Sequence, residues 1–315
     1  MKLKELKIGN LCVPLPIIQG GMAVRISTAP LASAVANEGG IGIIAGTGMK
    51  LEELRYEIRK AKEMTNGIIG VNVLFAVREF ADLVKTAINE KIDVIISGAG
   101  FSRDMFAWGK ESGVPIVPIV SSAKLAKLAE KLGAAAIIVE GKEAGGHLGT
   151  DRPMKDILPE VCAATNLPVI AAGGVIDGQD IADAIRLGAT GVQMGTRFAA
   201  STESNASNHL KNLYVNAQKE DIILIKSPVG LPGQGIKNHF YDLIEGGNSP
   251  ENKNCVGCLK RCSHSFCIMD ALENACQSGD ESKALVFSGE CIYKINEILP
   301  VKTIFKNLMQ QVKNA

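Results

Sequence analysis

The stretch Ala135-Ala136-Ile137-Ile138-Val139-Glu140-Gly141-Lys142-Glu143-Ala144-Gly145-Gly146-His147-Leu148-Gly149 decides how this chain folds and where its chemistry lies. An apolar, strand-like run ends in a glycine-rich loop that carries a lone imidazole. Two further strand ends have the same character, Ala171-Ala172-Gly173-Gly174 and Gln193-Met194-Gly195-Thr196-Arg197. Glycine leaves no Cβ between main-chain N–H groups and an anion, so these two ends read as a phosphate cradle. The three loops together read as a phosphate site facing a reactive histidine.

Working outward, short Val/Ile/Ala-rich runs recur every ~20–30 residues, each followed by a helical pattern, which is the spacing of βα units. Strands are expected near Pro16–Gln19, Ile41–Ala45, Ile68–Leu74, Val94–Ser97, Ile116–Val120, Ala136–Glu140, Val169–Ala172 and Gly191–Met194. They lack polar alternation, as strands covered on both faces do. Helices are expected over Leu51–Met64, Glu79–Lys91, Ala123–Leu132 and Gly178–Leu187. In the first, Leu51, Leu54, Ile58 and Ala61 form the apolar stripe. Eight units predict an α/β fold of the TIM (β/α)8 type, whose chemistry sits on the loops at the strands' C-terminal ends. The rival, an open doubly wound sheet, usually carries G-x-G-x-x-G after its first strand. Here that strand meets Gln19-Gly20-Gly21-Met22 instead.

Past about residue 200 the rhythm changes. Thr202–Lys219 reads as helical and polar, Ser227–Gly235 as a Pro/Gly-rich segment, and Asn248–Asn254 as a loop. Ile268–Ala275 and Ile298–Val312 read as helices. The expected division is a barrel over residues 1–225 and a small, mostly helical, cysteine-containing lobe over 226–315, packed over the barrel mouth.

The 34 basic and 33 acidic residues leave a net charge of +1, which gives no electrostatic case for nucleic acid or an anionic membrane. No run approaches the ~18–20 apolar residues of a membrane span. The start, Met1-Lys2-Leu3-Lys4-Glu5-Leu6, lacks the apolar core of a signal peptide. A cytoplasmic protein acting on a small molecule is expected, with a homodimer as a candidate assembly.

With these motifs in view, the chain resembles the nitronate monooxygenase family, formerly 2-nitropropane dioxygenases, which includes the FMN-dependent enoyl-ACP reductase II. The matching residues are Gln19–Met22, Gly70-Val71-Asn72, Ser97–Gly100, Glu140 with Glu143–His147, Ala171–Gly174 and Gln193–Phe198, in family order over roughly residues 14–205. The resemblance implies a TIM barrel with non-covalent FMN and places His147 beside the isoalloxazine as the catalytic residue. It implies that Gly21 and Met22 cover the flavin, that Asn72 and Glu140 lie at its ring or ribityl side, and that Gln193 lies near the ring. Gly145, Gly146, Ala172, Gly173, Gly174, Gly195 and Thr196 complete the expected cofactor set. An imidazole titrates near neutrality, so His147 is suited to proton traffic during carbon-centred redox chemistry.

Eight cysteines in a cytoplasmic chain are poor candidates for structural disulfides. Cys255, Cys258, Cys262 and Cys267 give C-x2-C-x3-C-x4-C, a spacing with which four thiolates can wrap one metal centre. The segment is similar to the cluster-binding C-x2-C-x3-C of the flavin-linked 2,4-dienoyl-CoA reductases. That similarity implies a [4Fe–4S] cluster, with zinc as the alternative and Cys276 as the reserve fourth ligand. Cys12, Cys162 and Cys291 read as ordinary core thiols.

The first functional expectation is nitronate monooxygenase-type oxidation of alkyl nitronates through flavin N5. The second is NAD(P)H-dependent reduction of an enoyl-ACP or enoyl-CoA, with NAD(P)H as co-substrate. Outside the family stand a non-catalytic flavin- or metal-binding module and a metal-free phosphosugar enzyme.

Overall fold

The computed structural model describes residues 1–250, 255–278, 280 and 282–315. The chain opens with a hairpin, β1 (Leu6–Ile8) and β2 (Leu11–Val13). Then follow β3 (Ile17–Gln19), α1 (Ala29–Asn37), β4 (Ile41–Ala45), α2 (Leu51–Met64), β5 (Ile68–Leu74), α3 (Phe80–Asn89), β6 (Val94–Gly98) and α4 (Arg103–Ser112). The alternation continues through β7 (Ile116–Val120), α5 (Ala123–Leu132), β8 (Ile137–Glu140), a two-residue strand β9 (Gly146–His147), α6 (Met154–Cys162), β10 (Val169–Ala172), α7 (Gly178–Arg186) and β11 (Gly191–Met194). Strands β3 to β8, β10 and β11 close into a parallel barrel, each pairing with the next and β11 with β3. This is the TIM barrel.

The helices bury the stripes that their periodicity predicts: Leu54, Ile58 and Ala61 in α2 are fully inside, with the charged face in solvent. Ser102, Ser122 and Asp177 cap α4, α5 and α7, each accepting a main-chain N–H from three residues on. At the closed end, Leu6, Ile8 and Val13 of the opening hairpin plug the barrel against Ile18, Ile41 and Ile96. The other end is left for a site.

After β11 come a single turn, α8 (Thr196–Ala199), then α9 (Asn208–Asn216), β12 (Ile222–Lys226), β13 (Pro232–Ile236), α10 (His239–Glu245), α11 (Ile268–Gln277), β14 (Val286–Phe287) and α12 (Val301–Asn314). The packing divides the chain differently from the expected boundary at residue 225. Helix α12 lies against α7 and α1, where it completes the barrel's outer ring. Its Gln311 side chain accepts the Gly178 N–H at 2.8 Å. The lobe is therefore an excursion between the last barrel strand and the last barrel helix, anchored to the barrel at both ends.

The lobe is also less helical than expected. Only Asn208–Asn216 of the Thr202–Lys219 stretch is helix. The Pro/Gly-rich segment contains β13, the centre of a sheet in which β12, β14 and the barrel's own β9 pair with it antiparallel. Its glycines answer a close approach: a Cβ on Gly235 would stand 2.2 Å from the Val286 carbonyl oxygen, and one on Gly233 2.9 Å from the Phe287 ring. Those glycines hide the strand from propensity, because glycine in a strand marks tight backbone approach rather than a turn. Of the loop expected over Asn248–Asn254, residues 251–254 lie outside the described residues. Among the described residues no helix is long and apolar enough to cross a membrane.

Candidate active site

A cavity opens at the C-terminal ends of the barrel strands, where a parallel barrel presents its loops. Its wall includes every residue expected to hold cofactor: Gly21, Met22, Asn72, Glu140, Gly145, Gly146, Ala172, Gly173, Gly174, Gln193, Gly195 and Thr196, with His147 among them. The first loop is held from within. Gln19, fully buried, accepts the Ile43 N–H at 2.9 Å and donates to Ser27 Oγ at 2.9 Å, while Ser27 Oγ accepts the Met22 N–H at 3.0 Å. Gly21 then passes so close to Asn72 that a Cβ would lie 2.4 Å from the asparagine Cβ.

On the far side, Gly173 and Gly174 both take positive φ, +95° and +75°, turning the chain back from β10 at the cavity edge. Across from them, Gly289 from the lobe donates its N–H to Thr196 Oγ1 at 3.1 Å, and the Glu290 N–H reaches the Glu143 carbonyl at 3.0 Å. Main-chain segments from the barrel and the lobe thus meet around this edge.

His147 is not in a free loop. It lies on β9, opposite Gly233 of β13, and the next residue, Leu148, donates its N–H to Pro232 at 2.9 Å. Gln234 reinforces the grip by donating to the carbonyls of Lys142 and Ala144 at 3.2 and 2.8 Å. The imidazole packs edge-on to Phe287, with ring centroids 5.1 Å apart, and its Nε2 lies 2.7 Å from Ser227 Oγ. Burial pushes its pKa down to about 4, so the ring is neutral at physiological pH. Desolvation acts in the opposite sense on Glu140 at the cavity floor, lifting its carboxyl to about 7. Among the described residues neither Lys nor Arg lines the cavity.

FMN fits these residues on two observations of this structure. Gln193 is 7% exposed, and its side-chain Oε1 is buried with no donor, although the residue lines the cavity. A buried acceptor left open in this way calls for a ligand N–H. Gly173, Gly174 and Gly195, the last at the start of α8, also line the cavity without a side chain of their own.

Of the thiols expected to bind metal, Cys255, Cys258 and Cys262 lie within electrostatic range of one another, and the His264 N–H reaches Cys262 Sγ at 3.4 Å. Among the described residues no three His, Cys, Asp or Glu side chains form a group that could hold a metal ion. Residues 258–260 are laid along the barrel as a strap: Cys258 accepts the Arg78 N–H at 2.9 Å, Lys260 donates its N–H to Ala76 at 2.8 Å, and Leu259 bridges Val77. Cys267 is the N-cap residue of α11, and Cys276 is buried, its thiol donating to the Asn205 carbonyl at 3.6 Å. Cys255 is exposed, 4.0 Å from His264 Nδ1. The strap does serve the cavity, because Leu259 reaches into it beside Val229, Ile268, Met269, Leu272 and Phe287.

That apolar roof, with Tyr214, Gly289 and Cys291, is what the sequence reading missed. Cys291, read as a core thiol, also touches the cavity, and burial raises its pKa. No local motif marks these residues; Phe287-Ser288-Gly289 is the nearest to a signal, repeating on a smaller scale the glycine-after-strand pattern of the barrel loops.

A closed parallel barrel with a glycine-edged cavity, a buried orphan acceptor and one neutral imidazole defines a flavin-type oxidoreductase scaffold. The chain belongs to the nitronate monooxygenase family, whose model matches residues 4–311. It is 35% identical to a Mycobacterium tuberculosis protein, (3aS,4S,5R,7aS)-5-hydroxy-7a-methyl-1-oxo-octahydro-1H-indene-4-carboxyl-CoA dehydrogenase, over 74% of this chain and 66% of that protein. The match therefore spans slightly under two thirds of that relative's length. A probable nitronate monooxygenase of Staphylococcus aureus is 27% identical, with 96% of this chain and 95% of that protein covered. Among solved structures, FabK from Thermotoga maritima is similar with a TM-score of 0.85 and 35% identity, over 95% of this chain and 93% of that one.

Proposed function

We propose that this chain is an FMN-dependent oxidoreductase that uses NAD(P)H to reduce the double bond of an enoyl thioester. One observation carries the reading: among the described residues the cavity pairs an apolar roof with a neutral imidazole and has no cationic side chain. A nitronate is an anion and would enter this cavity without a countercharge, whereas a neutral enoyl thioester loses little on desolvation there. One relative's name points the same way, since the mycobacterial protein is a carboxyl-CoA dehydrogenase by name, while the staphylococcal relative's name points to the nitronate reading.

Gly173, Gly174, Gly195 and Thr196 would hold the FMN phosphate through main-chain and hydroxyl contacts, Asn72, Glu140 and Gln193 would meet the ring or ribityl side, and Gly21 and Met22 would cover it. When bound, FMN supplies two-electron transfer through N5. His147 would then offer a neutral N–H to the thioester carbonyl oxygen, where negative charge grows as hydride reaches the β-carbon, and the resulting enolate would take its α-proton from solvent as the product leaves. The roof of Val229, Leu259, Ile268, Met269 and Leu272 excludes water and strengthens that hydrogen bond.

Nitronate oxidation, the chemistry for which the family is named, is the second reading; it is favoured by the match over residues 4–311. The assay that separates them compares NAD(P)H oxidation with a crotonyl thioester against oxygen uptake on a nitronate, using protein of measured FMN content. Thioester-dependent turnover with little oxygen uptake supports the proposal; the reverse pattern overturns it.

A further inference from the structure

We propose that Ser227, a lobe residue, is the positioning residue that fixes the tautomer of His147, so that the ring presents Nδ1–H to the cavity. The inference rests on the reading that His147 faces substrate, and deepens it by assigning the proton.

Ser227 sits in the turn between β12 and β13 and is 6% exposed. Its Oγ accepts the Val229 N–H at 3.3 Å and lies 2.7 Å from His147 Nε2. Two proton arrangements suit the short contact. If Nε2 carried the proton, Oγ would accept twice, and the serine proton would have no acceptor in a buried turn. If instead the serine hydroxyl donates to Nε2, both of its partners are satisfied and Nε2 becomes the acceptor. Buried polar groups are paired, so the second arrangement is selected. The imidazole is neutral, which leaves its single proton on Nδ1.

Among the described residues Nδ1 has no partner, yet it is not sealed away. Among the described residues the buried side-chain nitrogens and oxygens without a partner are Gln193 Oε1 and Arg197 Nε alone. Nδ1 of a cavity-lining histidine is therefore open to the cavity, available to a carbonyl oxygen. Phe287 packs edge-on against the ring at 76°, and the β9–β13 pairing fixes the backbone that carries it. The lobe thus supplies the backbone partner, the aromatic wall and the hydroxyl that orient a barrel residue.

The test is 15N NMR of the full-length, FMN-loaded protein labelled at histidine. With only four histidines, His147 is assigned by its loss in His147→Ala. The expected spectrum at pH 7 shows a protonated Nδ1 and an unprotonated, hydrogen-bonded Nε2. In Ser227→Ala the tautomers mix, kcat for the thioester falls about tenfold or more, within the range an acid–base group is worth, and KM stays within a few fold. Ser227→Thr, which keeps the hydroxyl, restores both signals. A protonated Nε2 in the wild type, or an unchanged spectrum in Ser227→Ala, overturns the assignment. The spectrum needs no turnover, so an inert thioester would sink the proposed activity while this readout judged Ser227 separately.

Discussion

The floor and the roof of the cavity are made by opposite means. The floor, from barrel loops, is rich in backbone: Gly21, Gly173, Gly174 and Gly195 present main chain, with polar side chains such as Asn72, Glu140 and Gln193 among them. The roof, from the excursion between β11 and α12, is side chain: Val229, Leu259, Ile268, Met269, Leu272 and Phe287. A floor of this kind suits a fixed cofactor common to many relatives, whereas a roof of side chains can be varied to choose the substrate. His147 belongs to the barrel in sequence and to the roof in pairing, joining the two.

If that division holds, changes at the junction should remove chemistry and spare the cofactor. His147→Ala is expected to lower kcat/KM by roughly 10²–10⁴ while FMN content, read by absorbance, stays near wild type. Loss of FMN in this variant would break the comparison, because it would make His147 part of the floor.

A floor variant should do the reverse. In Gly21→Ala the new methyl must displace Asn72, from which it would stand 2.4 Å, so FMN affinity is expected to fall at least about tenfold, the factor that corresponds to 1.4 kcal/mol. Fluorescence titration with FMN measures this directly. For the roof, Gly235→Ala drives a Cβ to 2.2 Å from the Val286 carbonyl and should cost about 1–3 kcal/mol as over-packing. Turnover is then expected to drop through misplacement of His147, with FMN still bound.

Glu140 gives a pH signature of the floor without cofactor. Its carboxyl titrates near 7 in the folded chain and near 4.5 when unfolded, so folding binds a proton between those values. Its stabilising contribution is complete below 4.5 and is lost as pH rises through 7. Glu140→Gln should therefore stabilise the FMN-free protein at pH 8, by about 3 kcal/mol at most, and show no such gain at pH 4. Denaturant melts at the two pH values decide it. The smallest effect is expected at Cys255, exposed and outside the cavity: Cys255→Ser should change stability by less than about 0.5 kcal/mol.

The same contrast explains how far the sequence could be read. Each barrel strand is a short apolar run bounded by its own helix, so β4, β5, β7, β10 and β11 match their expected ranges residue for residue. Such units are local, and so are the glycine loops at their ends. The roof is built from distant partners: Ser227 meets His147 80 residues away, Gln234 meets Ala144 90 away, and β14 completes the sheet from residue 286. Strand β13 was hidden because the glycines that let it pack erase its propensity. The cysteine spacing was legible, but the main-chain bonds of Cys258 and Lys260 to the loop around Val77, which lay that segment out as a strap, were not.

The most direct trial of the account is an anaerobic one. FMN-loaded protein, first reduced with one equivalent of NAD(P)H, is mixed with a crotonyl thioester and followed by flavin absorbance. Rapid return of the oxidised spectrum, slowed in His147→Ala, is the predicted result. A spectrum that stays bleached with the thioester, in protein whose oxidised flavin is readily reduced by a nitronate, would contradict it.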